Sequence, residues 1–220
     1  MVGSIVLGTV VFSTGVPAFA TPTHVVATAG AHDPRAGLTA DQIAAKALAD
    51  LDAATSVHES IGSLLSITYA RHACAGWFGL LPGPGMDFIQ IGKAEWVLLT
   101  KQSMAQAGYT KAEIARYTGK WATNNSPSSP LGHISCGHPS SAAFPRTGWT
   151  EGRVSIVAGQ RAVELTFKNG TAWVSDSSRP EFLKIGRDGS WATFSRYNAR
   201  VTITPPPASQ IVSLPAPPSR

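Results

Sequence analysis

Two turn sequences between Arg161 and Pro207 constrain the fold of this chain most strongly. The stretch reads RAVELTF-KNG-TAWVS, then EFLKI-GRDG-SWATFSRYN, then VTITPPP. Asn169-Gly170 and Asp188-Gly189 are typical two-residue hairpin loops, because type I′ turns need positive φ at both central residues. Folding the chain at these loops puts apolar side chains opposite one another on one face. The predicted pairs are Phe167 with Ala172, Leu165 with Val174, Ile185 with Ala192, and Leu183 with Phe194. The pattern predicts an antiparallel meander with one buried face.

The same registers place two tryptophans, Trp173 and Trp191, on the face opposite Leu165 and Leu183. A Trp on a face that should meet water indicates cover from a helix, a partner or a ligand groove. A sheet that is covered on both sides is the other interpretation.

Composition supports a turn-rich β protein. Charged residues make up 14% of the chain, while it contains 21 Gly and 16 Pro, and an average soluble protein has about 25% charged residues. The net charge is +5, but the Lys and Arg residues are scattered and no nucleic-acid-binding module is recognisable, so nucleic acid is not an expected partner. No apolar run of about 18 residues after the N-terminus predicts a membrane-spanning helix.

The two ends of the chain differ from its middle. Residues 1–20 have an apolar core and an Ala18-Phe19-Ala20 cleavage signature, although no Lys or Arg precedes the core, and they are interpreted as a signal peptide. A buried strand is the alternative. Residues 21–37 are predicted to form a flexible tether and residues 38–207 the folded domain. Residues 208–220 are interpreted as a Pro-rich tail.

Local signals predict the elements of the first half. Thr39–Gln42 has the form of a capping box before an amphipathic helix over about residues 40–54, and Thr110–Glu113 has the same form. Strands are expected over residues 60–69 and 74–81, and a hairpin is expected at Gly92-Lys93. Together these signals predict a mainly antiparallel β protein with helices (α+β).

Four segments in this order carry a family resemblance. They are LTADQIAAKALADLDAATSVH, FIQIGKAEWV, TGKWATN and TFSRYNARVTITPPPASQIV, and they span Leu38 to Val212. The set resembles actinobacterial cell-envelope lipoproteins of the LppX/LprG type, which are similar to the periplasmic carriers LolA and LolB. The resemblance implies an open, strongly curved antiparallel half-barrel. Its helices would lie on the concave side and leave an apolar cavity for lipid or acyl chains.

The chain departs from this family pattern in two places. Its cleavage region reads PAFATPT and has no Cys for lipid attachment. Free secretion or a cell-envelope location with peripheral membrane contact is therefore expected instead of a lipid anchor. The segment after His58 is shorter than in the family, which predicts an eroded first hairpin.

The candidate chemistry is confined to the loop Gly132–His138. His133, Cys136 and His138 are soft metal ligands, but a closed zinc site needs about four ligands with a recognised spacing. In an oxidising compartment Cys136 would instead form a disulfide with Cys74, while free thiols are the third possibility. A nucleophilic Cys136 lacks an orienting third group. No catalytic residue, metal or cofactor is therefore predicted.

The sequence supports two functions of different class. The first is an exported non-enzymatic carrier or binder of an apolar ligand, such as a lipid or acylated molecule. The second is a protein–protein interaction or sensor module in the cell envelope, which would use the same fold without a small ligand. The predicted lining of the apolar site is Leu48, Leu51, Leu165, Phe167, Val174, Leu183, Ile185 and Phe194.

Overall fold

The computed structural model describes residues 35–79, 85–124, 136–137, 139, 142, 144–187 and 189–215. The predicted signal peptide at residues 1–20 and the tether up to residue 34 lie outside the described residues. His133 and His138 lie outside them as well.

Within the described part of the chain there are three α-helices and twelve strands. The helices are α1 (Ala40–Ala53), α2 (Lys101–Gln106) and α3 (Lys111–Tyr117), and a 3-10 helix spans Ala208–Gln210. The strands of the first half are β1 (Ser56–Ile61), β2 (Leu65–Ala70), β3 (Ala73–Phe78), β4 (Met86–Ile91), β5 (Ala94–Leu98) and β6 (Trp121–Thr123). Those of the second half are β7 (Thr150–Val157), β8 (Gln160–Phe167), β9 (Gly170–Ser175), β10 (Phe182–Arg187), β11 (Ser190–Ser195) and β12 (Ile211–Val212).

All twelve strands belong to one open sheet in the order β12-β6-β5-β4-β3-β2-β1-β11-β10-β9-β8-β7. Neighbouring strands are antiparallel except for β12, which is parallel to β6. The pairing of β1 with β11 joins the two halves of the chain into one surface. The predicted fold class, an open and curved antiparallel sheet with helices, is confirmed.

One face of this sheet, here called the inner face, carries the core. Its buried side chains include Val57, Phe88 and Val97 from the first half and Leu165 and Val174 from the second. Helix α1 lies against the second half and contacts β7, β9 and β10. The predicted apolar side of α1 is therefore the side that is buried on the sheet.

Capping boxes begin all three described helices. In α1 the backbone N–H of Gln42 donates to Thr39 Oγ1 at 3.3 Å, and Gln42 Oε1 accepts from the backbone of Thr39 at 2.8 Å. Thr110 and Glu113 repeat this exchange before α3. Both predicted boxes are confirmed. The box at Thr100 was not predicted because its partner is Ser103 and not the usual Glu or Gln.

The predicted register of the first hairpin is wrong by two residues. Phe167 pairs with Gly170 and Leu165 with Ala172, so the loop is Lys168-Asn169. Gly170 is the first residue of β9, where a Cβ would collide with the ring of Phe167 and the carbonyl oxygen of Gly186. Its glycine is needed for close approach and not for a turn. An even shift leaves every side chain on its predicted face.

The predicted loop of the second hairpin is confirmed, since Ile185 pairs with Ala192 and Gly189 has φ of +80°. The pairing of β10 with β11 ends at Lys184 with Thr193, so the expected pair of Leu183 with Phe194 lies one residue beyond it. On the other side of β10, the register with β9 shifts between Phe182 and Lys184, and Phe182 belongs to the core. Leu183 is buried but does not belong to the inner-face cluster.

The single strand predicted over residues 60–69 is wrong as well. The chain turns at residues 62–64, where Gly62 has φ of +47°, and β1 and β2 form a hairpin. Ile61 pairs with Leu65 across this turn, so both face the same side whether the strand continues or folds back. Six residue pairs connect the strands. The predicted erosion of this first hairpin is therefore also wrong.

The ordered domain extends beyond the predicted bounds 38–207. Arg35 lies in a turn and is 8% exposed, although residues 21–37 were assigned to the tether. At the other end, β12 pairs with β6 within residues assigned to the Pro-rich tail. Tertiary contacts fix both segments, and neither has a local sequence signal.

Candidate functional site

The inner face is filled where α1 covers it. Leu48 and Leu51 from α1 meet Leu165 and Val174 from the sheet, and all four are 0% exposed. Interiors packed in this way have few voids larger than a water molecule. This part of the predicted apolar lining is core.

The segment that precedes β7 covers the neighbouring part of the inner face. The Trp149 ring lies 4.6 Å from that of Phe167 between centroids, and Phe144 lies 6.1 Å from Phe182. The backbone N–H of Trp149 donates to Asp41 Oδ1 at 2.8 Å, which ties the segment to α1. The segment is therefore held on the sheet by both apolar and polar contacts.

A disulfide joins Cys136, upstream of this segment, to Cys74 on β3. The two Cα atoms are 5.8 Å apart, within the usual range for disulfides. The backbone N–H of Cys136 also donates to Gln90 Oε1 on β4 at 3.0 Å. Of the three states that the sequence left open for Cys136, the structure contains the disulfide.

An apolar cavity of about 260 Å³ remains between this covered region and the strands β1, β10 and β11. The apolar side chains around it are those of Ile61, Phe144, Phe167, Ile185, Ala192 and Phe194. A second cavity of about 250 Å³ adjoins it and shares Phe167 and Arg187. Together they form an indentation that continues from the sheet to the loop Lys168-Asn169, and it is here called the apolar cavity.

Polar groups also line this cavity, and some of them are charged groups beside its apolar wall. Glu59 lines its wall on β1 and accepts a hydrogen bond from the Tyr69 hydroxyl at 3.1 Å. Burial, followed by the negative charge of Glu59, raises the pKa of Tyr69 well above its ordinary value, so that the phenol remains a donor. Arg187 is exposed between the two cavities. A ligand there would meet the apolar side chains together with one acid, Glu59, two basic groups, Lys168 and Arg187, and the uncharged polar groups of Thr147, Asn169 and Ser190.

The structure separates the eight predicted lining residues into three groups. Phe167, Ile185 and Phe194 line the cavity, while Leu48, Leu51, Leu165 and Val174 lie in the filled core. Leu183 contributes to neither. Ile61, Phe144 and Ala192 were missed as lining residues. The signal for Phe144 was its isolation as an aromatic residue in a segment of Ser, Pro and Gly.

Trp173 and Trp191 lie on the outer face of the sheet, as predicted. Their ring centroids are 5.1 Å apart, and Lys184 Nζ lies 4.4 Å from the Trp191 ring. All three side chains are half-buried. The two rings and the ammonium group cover one another, which reduces their exposure to water.

Within the described residues, no group of three or more His, Cys, Asp or Glu side chains could hold a metal ion. The proposed ligands His133 and His138 are outside that part of the chain, and Cys136 is bonded to Cys74. None of the helices that the structure describes is long and apolar enough to cross a membrane.

No known family profile matches the chain, and no curated protein matches it in sequence. Among solved structures, it resembles the lipoprotein LppX of Mycobacterium tuberculosis. The TM-score is 0.51 and the identity 15%, over 75% of this chain and 98% of that of LppX. At this identity the comparison supports the predicted resemblance to LppX at the level of the fold alone.

Proposed function

We propose that this protein is an exported, non-enzymatic binder of an apolar ligand, a lipid or an acylated molecule, in the cell envelope. The observation that carries the proposal is the apolar cavity on the inner face, with Phe167, Ile185 and Phe194 in its wall. The LppX-like fold supports the proposal, because an open sheet whose inner face is only partly covered leaves an apolar surface for a ligand.

The size of the cavity limits what it could hold. Sites for drug-sized ligands are about 300–1,000 Å³, and each of the two adjoining parts is smaller, at about 260 and 250 Å³. One acyl chain, or the end of one, fits this space better than a lipid with several chains. Each methylene group that leaves water there contributes about 0.8 kcal/mol.

The test is to fill the cavity from its wall and measure the binding of palmitate that carries a fluorophore. In Ala192→Phe the new ring occupies the cavity, and we expect the affinity for the probe to fall about tenfold or more, which is the loss of about two methylene contacts. Thr193→Phe is the matched control. Thr193 is the next residue on β11, is exposed and belongs to the other face, so the affinity should stay within about twofold.

Equal affinity in both variants would refute binding in this cavity. Native mass spectrometry and lipid extraction of the protein purified from an exporting host provide the second measurement. A co-purified lipid that Ala192→Phe lacks would agree with the proposal.

The second candidate function is that of an envelope interaction or sensor module. The filled core under α1 and the pair Trp173 and Trp191 on the outer face favour it, since aromatic side chains are common anchors of protein interfaces. A purified protein that is empty and does not bind palmitate would support this function over the first.

A further inference from the structure

Two further cavities adjoin one another beside the turn Arg71-His72, which joins β2 to β3. The larger has a volume of about 480 Å³ and extends to the segment 199–203 after β11. The smaller has a volume of about 310 Å³ and extends to Gly92 and the disulfide at Cys136. Neither shares a lining residue with the apolar cavity. They are here called the basic cleft.

The ionisable side chains that line the basic cleft are all basic. Arg71, His72 and Arg200 line it, and no acidic side chain of the described residues does. Arg71 and Arg200 form no ion pair within the part of the chain that the structure describes. The guanidinium groups of Arg35 and Arg161, by contrast, are paired with carboxylates. Two uncompensated cations therefore border one concave space.

The backbone that carries Arg200 is held in place by hydrogen bonds to β1. Asn198 Oδ1 accepts from the backbone of Thr55 at 2.9 Å, and Ser56 Oγ donates to the carbonyl of Ala199 at 2.7 Å. Arg196 and Asn198 have φ of 56° and 53°. Non-glycine residues keep such values only where the surroundings fix them, and such residues cluster at binding sites.

The turn that carries Arg71 and His72 is fixed as well. The backbone N–H of Gly92 donates to the carbonyl of His72 at 2.7 Å, which joins the β2–β3 turn to the β4–β5 turn. The cations on the two sides of the basic cleft thus project from ordered segments. Little backbone ordering would be needed when a ligand binds.

We infer that the basic cleft binds an organic anion through a phosphate or carboxylate group. The planar forks of Arg71 and Arg200 match the oxygen geometry of such groups and donate paired hydrogen bonds to them. The side chains of Ala70, Ala73, Val201 and Ile203 line the larger cavity and leave room for a small apolar part beside the anion. A lipid headgroup and a free organic phosphate share this chemistry.

The test compares the wild type with R71A/R200A by titration calorimetry with glycerol 3-phosphate, and by flotation with phosphatidylcholine vesicles that contain phosphatidylglycerol. We expect the wild type to bind at least one of the two probes. The double variant should bind it about tenfold or more weakly, because charge-assisted hydrogen bonds are stronger than hydrogen bonds between neutral groups. The binding should also weaken as salt is added. Binding of glycerol 3-phosphate would identify a free anion as the source, and binding of the vesicles alone a lipid headgroup.

Arg153→Ala is the matched control. Arg153 lies on the edge strand β7, is 83% exposed and is 3.5 Å from Glu164, a surface pair that contributes little to stability. This substitution removes one positive charge at a position outside the lining of the basic cleft, and the affinity for the probe should stay within about twofold of the wild-type value. Absence of binding to every probe, or an equal loss in R153A and R71A/R200A, would overturn the inference.

Discussion

Arg35 joins two residues that are distant from it in sequence, Glu151 on β7 and Asp176 directly after β9. Its Nε lies 2.7 Å from Asp176 Oδ1, and its Nη1 lies 2.8 Å from Glu151 Oε1. The side chains of Arg35 and Asp176 are 8% and 5% exposed. Arg161 binds the other oxygen of Asp176 at 2.9 Å but is 67% exposed. One carboxylate therefore has a buried and an exposed partner, which provides a matched comparison.

We predict that Arg35→Ala lowers the free energy of unfolding at pH 7 by about 2–4 kcal/mol, because it leaves a buried carboxylate without its main partner. Arg161→Ala should lower it by less than about 1 kcal/mol, because exposed pairs contribute little. Urea unfolding of both variants measures this difference. Equal losses would show that burial does not distinguish the two partners.

The pH dependence follows from Asp176. Burial raises the pKa of its carboxyl, but the hydrogen bonds from Arg35 and Arg161 outweigh burial and hold the pKa below its ordinary value. A depressed pKa stabilises the fold above the unfolded value of about 3.9, and this stabilisation is lost as the pH falls through the folded pKa. The deficit of Arg35→Ala should accordingly shrink in urea titrations as the pH falls below the unfolded value of about 3.9.

Periodicity could not identify Arg35 or Phe144 as structural residues. Each lies in a stretch without periodicity, and its role depends on partners far along the chain. Leu165 and Phe194 were predictable as buried residues because alternation along a strand is a local property.

The short strand β12 connects the end of the described chain to the sheet. Ile211 pairs with Trp121 and Val212 with Ala122, and the Tyr109 hydroxyl donates to the carbonyl of Pro215 at 3.1 Å. Val212 and Leu214 are half-buried against the core. The Pro-rich composition of residues 208–220 did not indicate a strand. A parallel pair also needs no tight turn between its strands, so the sequence next to β12 carries no local signal for the pairing.

We predict that a chain ending at Gln210 is less stable than the full chain by about 2–3 kcal/mol. It loses Val212 and Leu214, the side chains that pack against the core, each worth about 1 kcal/mol, and the hydrogen bond from Tyr109, worth about 1 kcal/mol. A chain ending at Pro215 keeps all these groups and is the control. Urea unfolding of both chains measures the effect, and equal midpoints would mean that β12 adds no stability.

Turn chemistry predicted the hairpins at Gly92-Lys93 and Asp188-Gly189, since those loops lie where the sequence signals them. It failed at Asn169-Gly170, where Gly170 pairs with Phe167 in the strand and has no room for a Cβ. Register depends on packing across strands as well as on the turn, so local signals locate a hairpin more reliably than they align it.

At the scale of the whole molecule, the same apolar pattern on the sheet is compatible with a filled and with a hollow inner face. The structure contains both, a filled core under α1 and a cavity beside Phe144. What separates them is the irregular segment before β7, which no periodicity describes. The sequence predicted the sheet and α1 because their signals are local, but the cover of the inner face depends on how this segment packs.

The disulfide between Cys74 and Cys136 joins β3 to the chain upstream of that segment, and its removal is the last prediction. The bond connects residues 62 apart, for which the chain-entropy treatment gives about 4 kcal/mol. We expect the free energy of unfolding of C74A/C136A, measured in urea, to be lower by that amount. In hydrogen exchange, the variant should lose more protection around β3 and residues 144–149 than around α1. Reduced wild type should behave like the variant, and reductant should not affect the variant itself. If palmitate binding and exchange around Phe144 stay unchanged in C74A/C136A, the segment is held by packing alone, and the disulfide does not control access to the apolar cavity.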